Sequence, residues 1–163
     1  MKSMRDIKKG LLLAATLLGI FLTQSANAEP QVQILSPSAG NAVTKHPRCG
    51  EAGRTVTIQA KVTQLGIGEV IFPYVQGGPK YYIKNPLKKM GPVYQSIDGY
   101  GDPGNNSEQQ ETVFFVAASG QDVTTLSGNL GGKAMDSLPS GTTNISNDGA
   151  MVTVKIRKAG DCN

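Results

Sequence analysis

The chain has 163 residues, two cysteines, one histidine and no tryptophan, and a formal net charge of +4. Four of its sixteen basic residues but only one of its twelve acidic ones fall in the first 28 positions, so 12 basic and 11 acidic residues remain beyond them. A remainder with a net charge of +1 gives no support for nucleic-acid binding, which needs a basic stripe or patch on the folded domain.

The first element in chain order is a leader. Lys2, Arg5, Lys8 and Lys9 precede an apolar run from Leu11 to Leu22, and Ala26-Asn27-Ala28 supplies the small-residue exit. This is the order of a cleavable secretory signal over residues 1–28, with Glu29 as the first mature residue. The apolar run is well short of the roughly 20 residues that cross a bilayer as a helix, and no cysteine follows the cleavage site. No stable membrane anchor is therefore expected after cleavage, and the expected destination is the periplasm or the exterior. Residues 29–163 are long enough for one ordinary domain with a single core.

Val32, Ile34 and Leu35 make a short first strand, ended by Ser36-Pro37-Ser38-Ala39-Gly40. From Arg54 to Val62 the apolar Val56, Ile58, Ala60 and Val62 alternate with polar residues, the period of a strand with one buried face. Glu69 to Val75 is apolar on both faces and carries Pro73, which implies an edge position or a bulge. Gln76-Gly77-Gly78-Pro79 is a turn, and Lys80 to Ile83 resumes a strand. A further strand is expected over Val93 to Ile97, ahead of the turn-rich Asp98 to Asn106. Thr112 to Ala118 is a second strong apolar run, and Met151 to Ile156 closes the chain with alternating Val152, Val154 and Ile156. Between Ser119 and Gly149 the period is lost; a short helix around Lys133 to Leu138, or another weak strand, would give Leu126, Leu130, Met135 and Leu138 somewhere to pack. About seven short strands with Gly/Pro turns predict an all-β fold, a sandwich of two antiparallel sheets or a small barrel.

Cys49 and Cys162 enter an oxidising compartment as an even pair, which favours a disulfide. Closing so long a loop is worth up to roughly 4 to 5 kcal/mol in the chain-entropy description.

The opening VQILSPSAGNAVT, the strand RTVTIQAKV, the pair EVIFPYVQGGPKYYI and the late GDPGNNSEQQETVFFVAAS resemble, in their layout from Val32 to Ser119, the bacterial immunoglobulin-like or fibronectin-like modules of exported proteins. The chain lacks the core tryptophan of antibody-type domains, and its cysteines lie too far apart for their usual inter-sheet bridge. The resemblance implies an immunoglobulin-like β-sandwich used for binding or assembly.

Candidate chemistry is sparse. His46, the only histidine, sits in Thr44-Lys45-His46-Pro47-Arg48 and reads as a surface residue; it would meet Ser96 or Ser119 only by accident of folding, and no Gly-x-Ser-x-Gly turn is present. Asp98, Asp102 and Asn105, with Asn106 and Glu108, gather hard oxygens of the kind calcium takes, but these are also ordinary turn residues. Tyr81, Tyr82, Lys84 and Lys88 interleave aromatic and basic groups and form the candidate binding face, against the alternative of a solvated hairpin whose lysines discourage edge aggregation. No cofactor is expected. The expectation is a non-enzymatic binding or interaction domain of the cell envelope, its partner an envelope protein or a glycan. The alternative is a pilus or surface-fibre subunit that pairs through an edge strand, and the third reading an enzyme with a non-obvious loop site.

Overall fold

A computed structural model describes residues 28–163 except Asp148. The leader expected over 1–28 lies, but for Ala28, outside the described residues, and among the described residues no helix is long and apolar enough to cross a membrane.

The described chain forms two packed sheets. The first contains β1 (Gln31–Ser36), β3 (Thr55–Thr63), β7 (Val93–Gly99) and β6 (Lys88–Met90), in that spatial order and antiparallel throughout. The second runs β2 (Asn41–Thr44), β11 (Val152–Ile156), β8 (Gln109–Ala118), β4 (Val70–Gly77), β5 (Lys80–Ile83) and β9 (Ala134–Met135), and β10 (Thr143–Asn144) adds to β8. Every pairing in it is antiparallel except β2 with β11. The chain changes sheets between β1 and β2 through the cis Ser36-Pro37 bond and a 3-10 turn at Ser38–Gly40. Eleven strands stand where about seven were expected, because segments of two to four residues, such as β9 and β10, pair along the larger strands.

Two apolar clusters hold the layers. The first fills the space between the sheets: Val56, Ile58 and Ala60 of β3 meet Ile71 and Val75 of β4, Val113, Phe115 and Ala117 of β8, and Val152, Val154 and Ile156 of β11. The second lies on the outer face of the larger sheet, where Phe72 and Tyr74 of β4, Ile83 of β5, and Val116 and Ala118 of β8 are covered by Leu126. Leu126 belongs to α2 (Gly120–Ser127), while α1 is the single turn Glu51–Arg54. Since β4 and β8 bury both faces, they read as continuous apolar runs rather than alternating ones. Each fully buried Val, Leu, Ile or Phe contributes roughly 1.5–3 kcal/mol of transfer free energy.

Two expectations are corrected in one of their two alternatives. Pro73 is not at an edge: β4 lies between β8 and β5. Pro73 O accepts from Lys84 N at 2.8 Å, just past the end of β5, and the next contact on that side is Leu87 N to Ile71 O at 2.9 Å. The nitrogen of Pro73 therefore faces a stretch where the chain bows out of the ladder, so its missing N–H costs no strand pairing. In the irregular segment the helix lies over Gly120–Ser127 and not around residues 133–138, where the alternative expectation, a weak strand, is met by the two-residue β9 paired with β5. Val123 and Leu126, one turn apart, face the second cluster, and Asp122 sits in the first turn, where its charge favours the helix N-terminus.

Candidate binding cleft

The β4–β8 ladder runs from Val70↔Ala118 to Val75↔Val113 and stops there, whereas β8 continues against β11 as far as Gln109. Beyond Val75, β4 leaves β8 and turns into β5 through Gly78-Pro79. Gly78 adopts φ +57° ahead of the proline, the requirement of a type II′ hairpin turn. The divergence opens a cleft of about 1110 Å³ between the hairpin at Gln76–Gly78, the start of β8 and the loop Gly101–Asn105.

The direction of the β8 backbone in the cleft follows from its pairing. Phe115 N donates to Ser146 Oγ at 2.6 Å and Phe115 O accepts from Ile145 N at 3.1 Å, so the main-chain groups of Phe115 face β10. Alternation along the strand turns those of Phe114, Thr112 and Gln110 to the other side, towards β4. With β4 departing, no strand of the described chain lies alongside Gln110 there.

The loop wall is held from behind. Gln109 is its inner clamp: Asp102 N donates to Gln109 Oε1 at 2.8 Å, and Gln109 Nε2 donates to the carbonyls of Asp102 and Asn105 at 3.1 and 3.0 Å. From outside, Arg48 Nε donates to Pro103 O at 2.9 Å and Ala159 N to Asn106 O at 2.9 Å. His46, expected at the surface, is fully buried and is the centre of this brace. Its Nδ1 accepts from Arg48 N at 3.1 Å, so the proton sits on Nε2, which donates to Asn105 O. A histidine capping a 3-10 turn (Pro47–Cys49) looks like a loop residue in sequence, and that is why it read as exposed. The Cys49–Cys162 disulfide, with a Cα separation of 5.3 Å, joins this turn to the C-terminal tail that also grips the loop. At Gly101, φ is +89° and an added Cβ would lie 3.2 Å from Ile156, so a side chain there would be strained and tightly pressed on β11.

Two charged groups and a buried phenol gather where the cleft meets the inter-sheet space. Lys84 Nζ donates to Gly99 O at 2.8 Å and stands 4.7 Å from the centre of the Tyr100 ring. Tyr100 is 1% exposed and its hydroxyl has no partner; burial, and next the charges of Asp98 and Glu111, push its pKa far above the usual phenol value. Glu111 lines the cleft, and its buried Oε2 is likewise without a partner.

The residues singled out from sequence are distributed unevenly. Tyr82 and Lys84 line the cleft. Tyr81 points to the opposite face of β5, packing 5.8 Å from Tyr74 in the outer cluster, and Lys88 lies exposed on β6 of the other sheet, so the four do not share one surface. Asp98 accepts from Asn85 N at 2.6 Å, tying the segment after β5 to β7, and from Gly99 N at 2.7 Å; Asp102 accepts from Gly104 N at 2.7 Å and Asn105 from Ser107 N at 3.0 Å, each within a local turn. Among the described residues no three His, Cys, Asp or Glu side chains gather as a metal site. Ser96 is buried and donates to Asn85 O at 2.6 Å, apart from the partners of His46. Sequence reading passed over Gln76, Gln110 and Glu111. The available signal was the polar run Gln109-Gln110-Glu111-Thr112 opening a strand whose remainder is apolar on both faces.

No family model and no curated protein matches the chain. A solved crystal structure described as an engineered protein is similar at a TM-score of 0.39 and 18% identity, covering 82% of this chain but only 21% of that one. The chain thus spans about a fifth of that protein's length, and a likeness at this level carries no argument about fold family or function.

Proposed function

We propose that the protein is an exported, non-enzymatic binding module of the cell envelope, built on an immunoglobulin-like sandwich and acting in the periplasm or outside the cell. The leader pattern and the Cys49–Cys162 disulfide support the compartment. The strand orders support the architecture: β1-β3-β7-β6 follows A-B-E-D, and β11-β8-β4-β5 follows G-F-C-C′ of variable-type immunoglobulin sandwiches.

The observation that carries the binding reading is the cleft beside β8, whose loop wall is fastened by His46, Arg48, Gln109 and the disulfide-linked tail. A wall held in place before a ligand arrives spares the ordering cost of binding. An assembly subunit that borrows a neighbour's strand is less well supported, because β11 already lies between β8 and β2 and completes the sheet from the chain itself.

The test is site-specific photo-cross-linking in the native envelope, with the photoreactive group at Gln76 in the cleft, at Lys89 on β6, or at Val43 on β2. A discrete adduct from Gln76 alone is expected. Ladders of self-adducts from Val43 would favour the assembly reading, and turnover of a hydrolysable substrate library by the pure protein would remove the non-enzymatic one.

A further inference from the structure

We infer that the cleft binds an extended basic peptide, its backbone laid along β8 at Gln110 and a Lys or Arg side chain directed at Glu108 and Glu111. The inference rests on the cleft being the binding surface and adds the ligand class.

Backbone geometry gives the first reason. Beyond Gln76, which still faces Thr112 next to the last ladder pair, β8 remains paired on its β11 side as far as Gln109, so its free side at Gln110 is a preformed edge that continues the existing ladder. An extended segment placed there gains main-chain hydrogen bonds without reordering the strand, the mode of β-augmentation.

Charge gives the second. Asp102, Glu108 and Glu111 line the cleft against Lys84 alone, and the Lys84 ammonium is already committed to Gly99 O and the Tyr100 ring. Glu111 Oε2 is buried without a partner beside a fully buried tyrosine whose hydroxyl is also unpartnered. A carboxylate taken from water in this way is costly until a donor meets it, and a guanidinium or ammonium supplies donors together with the compensating charge. Three carboxylates oppose a nucleic acid.

A glycan is the weaker fit because the aromatic rings at the cleft are already packed. Phe114 stacks on Tyr74 at 5.5 Å, and the Tyr82 ring lies against Gly77, where an added Cβ would be 3.1 Å from it. Each ring thus has one face already engaged within the protein, which leaves a sugar less aromatic surface to bind than the carboxylates offer a cation.

The test is a titration of the 15N-labelled oxidised protein with acetylated, amidated KVRVK, the same peptide with its central amide N-methylated, EVEVE, and triacetylchitotriose. KVRVK is expected to shift the amides of Gln76, Gln110 and Thr112, and N-methylation and EVEVE to abolish the effect. Glu111→Gln should weaken KVRVK binding about tenfold, as for a partly buried charge pair, and the exposed rim variant Glu108→Gln about threefold. Glu108→Gln carries the charge test if Glu111→Gln disturbs the fold. Equal binding of EVEVE, no loss in the charge variants, or shifts confined to β2 or β6 would overturn the inference. Cleft shifts with the chitotriose and none with KVRVK would replace the peptide by a glycan and leave the cleft as the binding surface. Silence of the cleft amides with all four probes would remove both readings.

Discussion

The two sheets treat their outer faces differently. On β3 of the smaller sheet, Thr55, Thr57 and Lys61 stand in water while Val56, Ile58 and Ala60 face the core, and the strand alternates cleanly. On β4 and β8 of the larger sheet the outward Phe72, Tyr74, Val116 and Ala118 are buried under α2 and the segment that follows it. One face of the molecule is therefore a two-layer sandwich and the other has a third layer, and strand periodicity reports the number of layers covering each strand. The third layer rests on one helix of eight residues, too short to be stable without the surface it covers.

The largest expected effects break that outer layer. Phe72→Ala should cost about 3–5 kcal/mol in urea denaturation, since it removes a fully buried ring from a strand with neighbours on both sides. Leu126→Ala should cost about 2–5 kcal/mol, nearer the lower end because a short helix can settle into the space left behind. A loss for Leu126→Ala below about 0.5 kcal/mol, the range of ordinary surface changes, would mean that the third layer is only loosely attached.

The two clusters also differ at alkaline pH, since each buries a tyrosine. Tyr100 between the sheets and Tyr74 in the outer layer both have raised pKa values, burial being the leading cause in each; Asp98 and Glu111 add to it at Tyr100, and Tyr81 adds at Tyr74. A phenol that stays protonated in the native state while the unfolded chain ionises near its usual pKa of about 10 favours unfolding as pH rises. Stability should accordingly be unaffected by these groups below pH about 10 and fall above it. Tyr100→Phe should flatten that fall more than Tyr74→Phe, followed by urea midpoints across the alkaline range. At neutral pH Tyr100→Phe should cost little, because the hydroxyl it removes has no partner.

Legibility in sequence follows the same division. β3, β11 and the disulfide could be read directly, because one-sided burial leaves a period of two and a sequence with two cysteines offers each a single partner. The third layer could not: Gly120-Gln121-Asp122-Val123-Thr124-Thr125-Leu126-Ser127 carries three β-branched residues in a row and opens on a glycine, and it is the apolar surface of β4 and β8 that makes it helical. Pro73 signalled an irregularity correctly but not its place, since an interior strand tolerates proline wherever its neighbour bows away. The cleft was half visible. Tyr82 and Lys84 were found as an aromatic-basic pattern, while Gln110 and Glu111 acquire their role from where β4 leaves β8, a property of register that no single strand encodes.

Smaller effects sharpen the comparison from the solvated side. Thr57→Ala, an exposed position on β3, should change stability by no more than about 0.5 kcal/mol. The same substitution scale that costs several kcal/mol on β4 thus becomes nearly silent on β3.

The smallest effect is expected where the outer layer shows its one ion pair among the described residues. Lys80 on β5 donates to Asp136, just after β9, and each raises the other's preference for its charged form: hydrogen bonding and charge lift the Lys80 pKa and lower that of Asp136. Both side chains are well exposed, so water and salt screen the attraction and the cost of ordering two side chains offsets most of what remains. Lys80→Ala and Asp136→Ala should each leave the urea midpoint unchanged at physiological salt, and a double-mutant cycle should return no coupling. A clear coupling that vanishes in high salt would mean that electrostatics, rather than burial of Leu126 and its neighbours, fixes the edge of the third layer against β5.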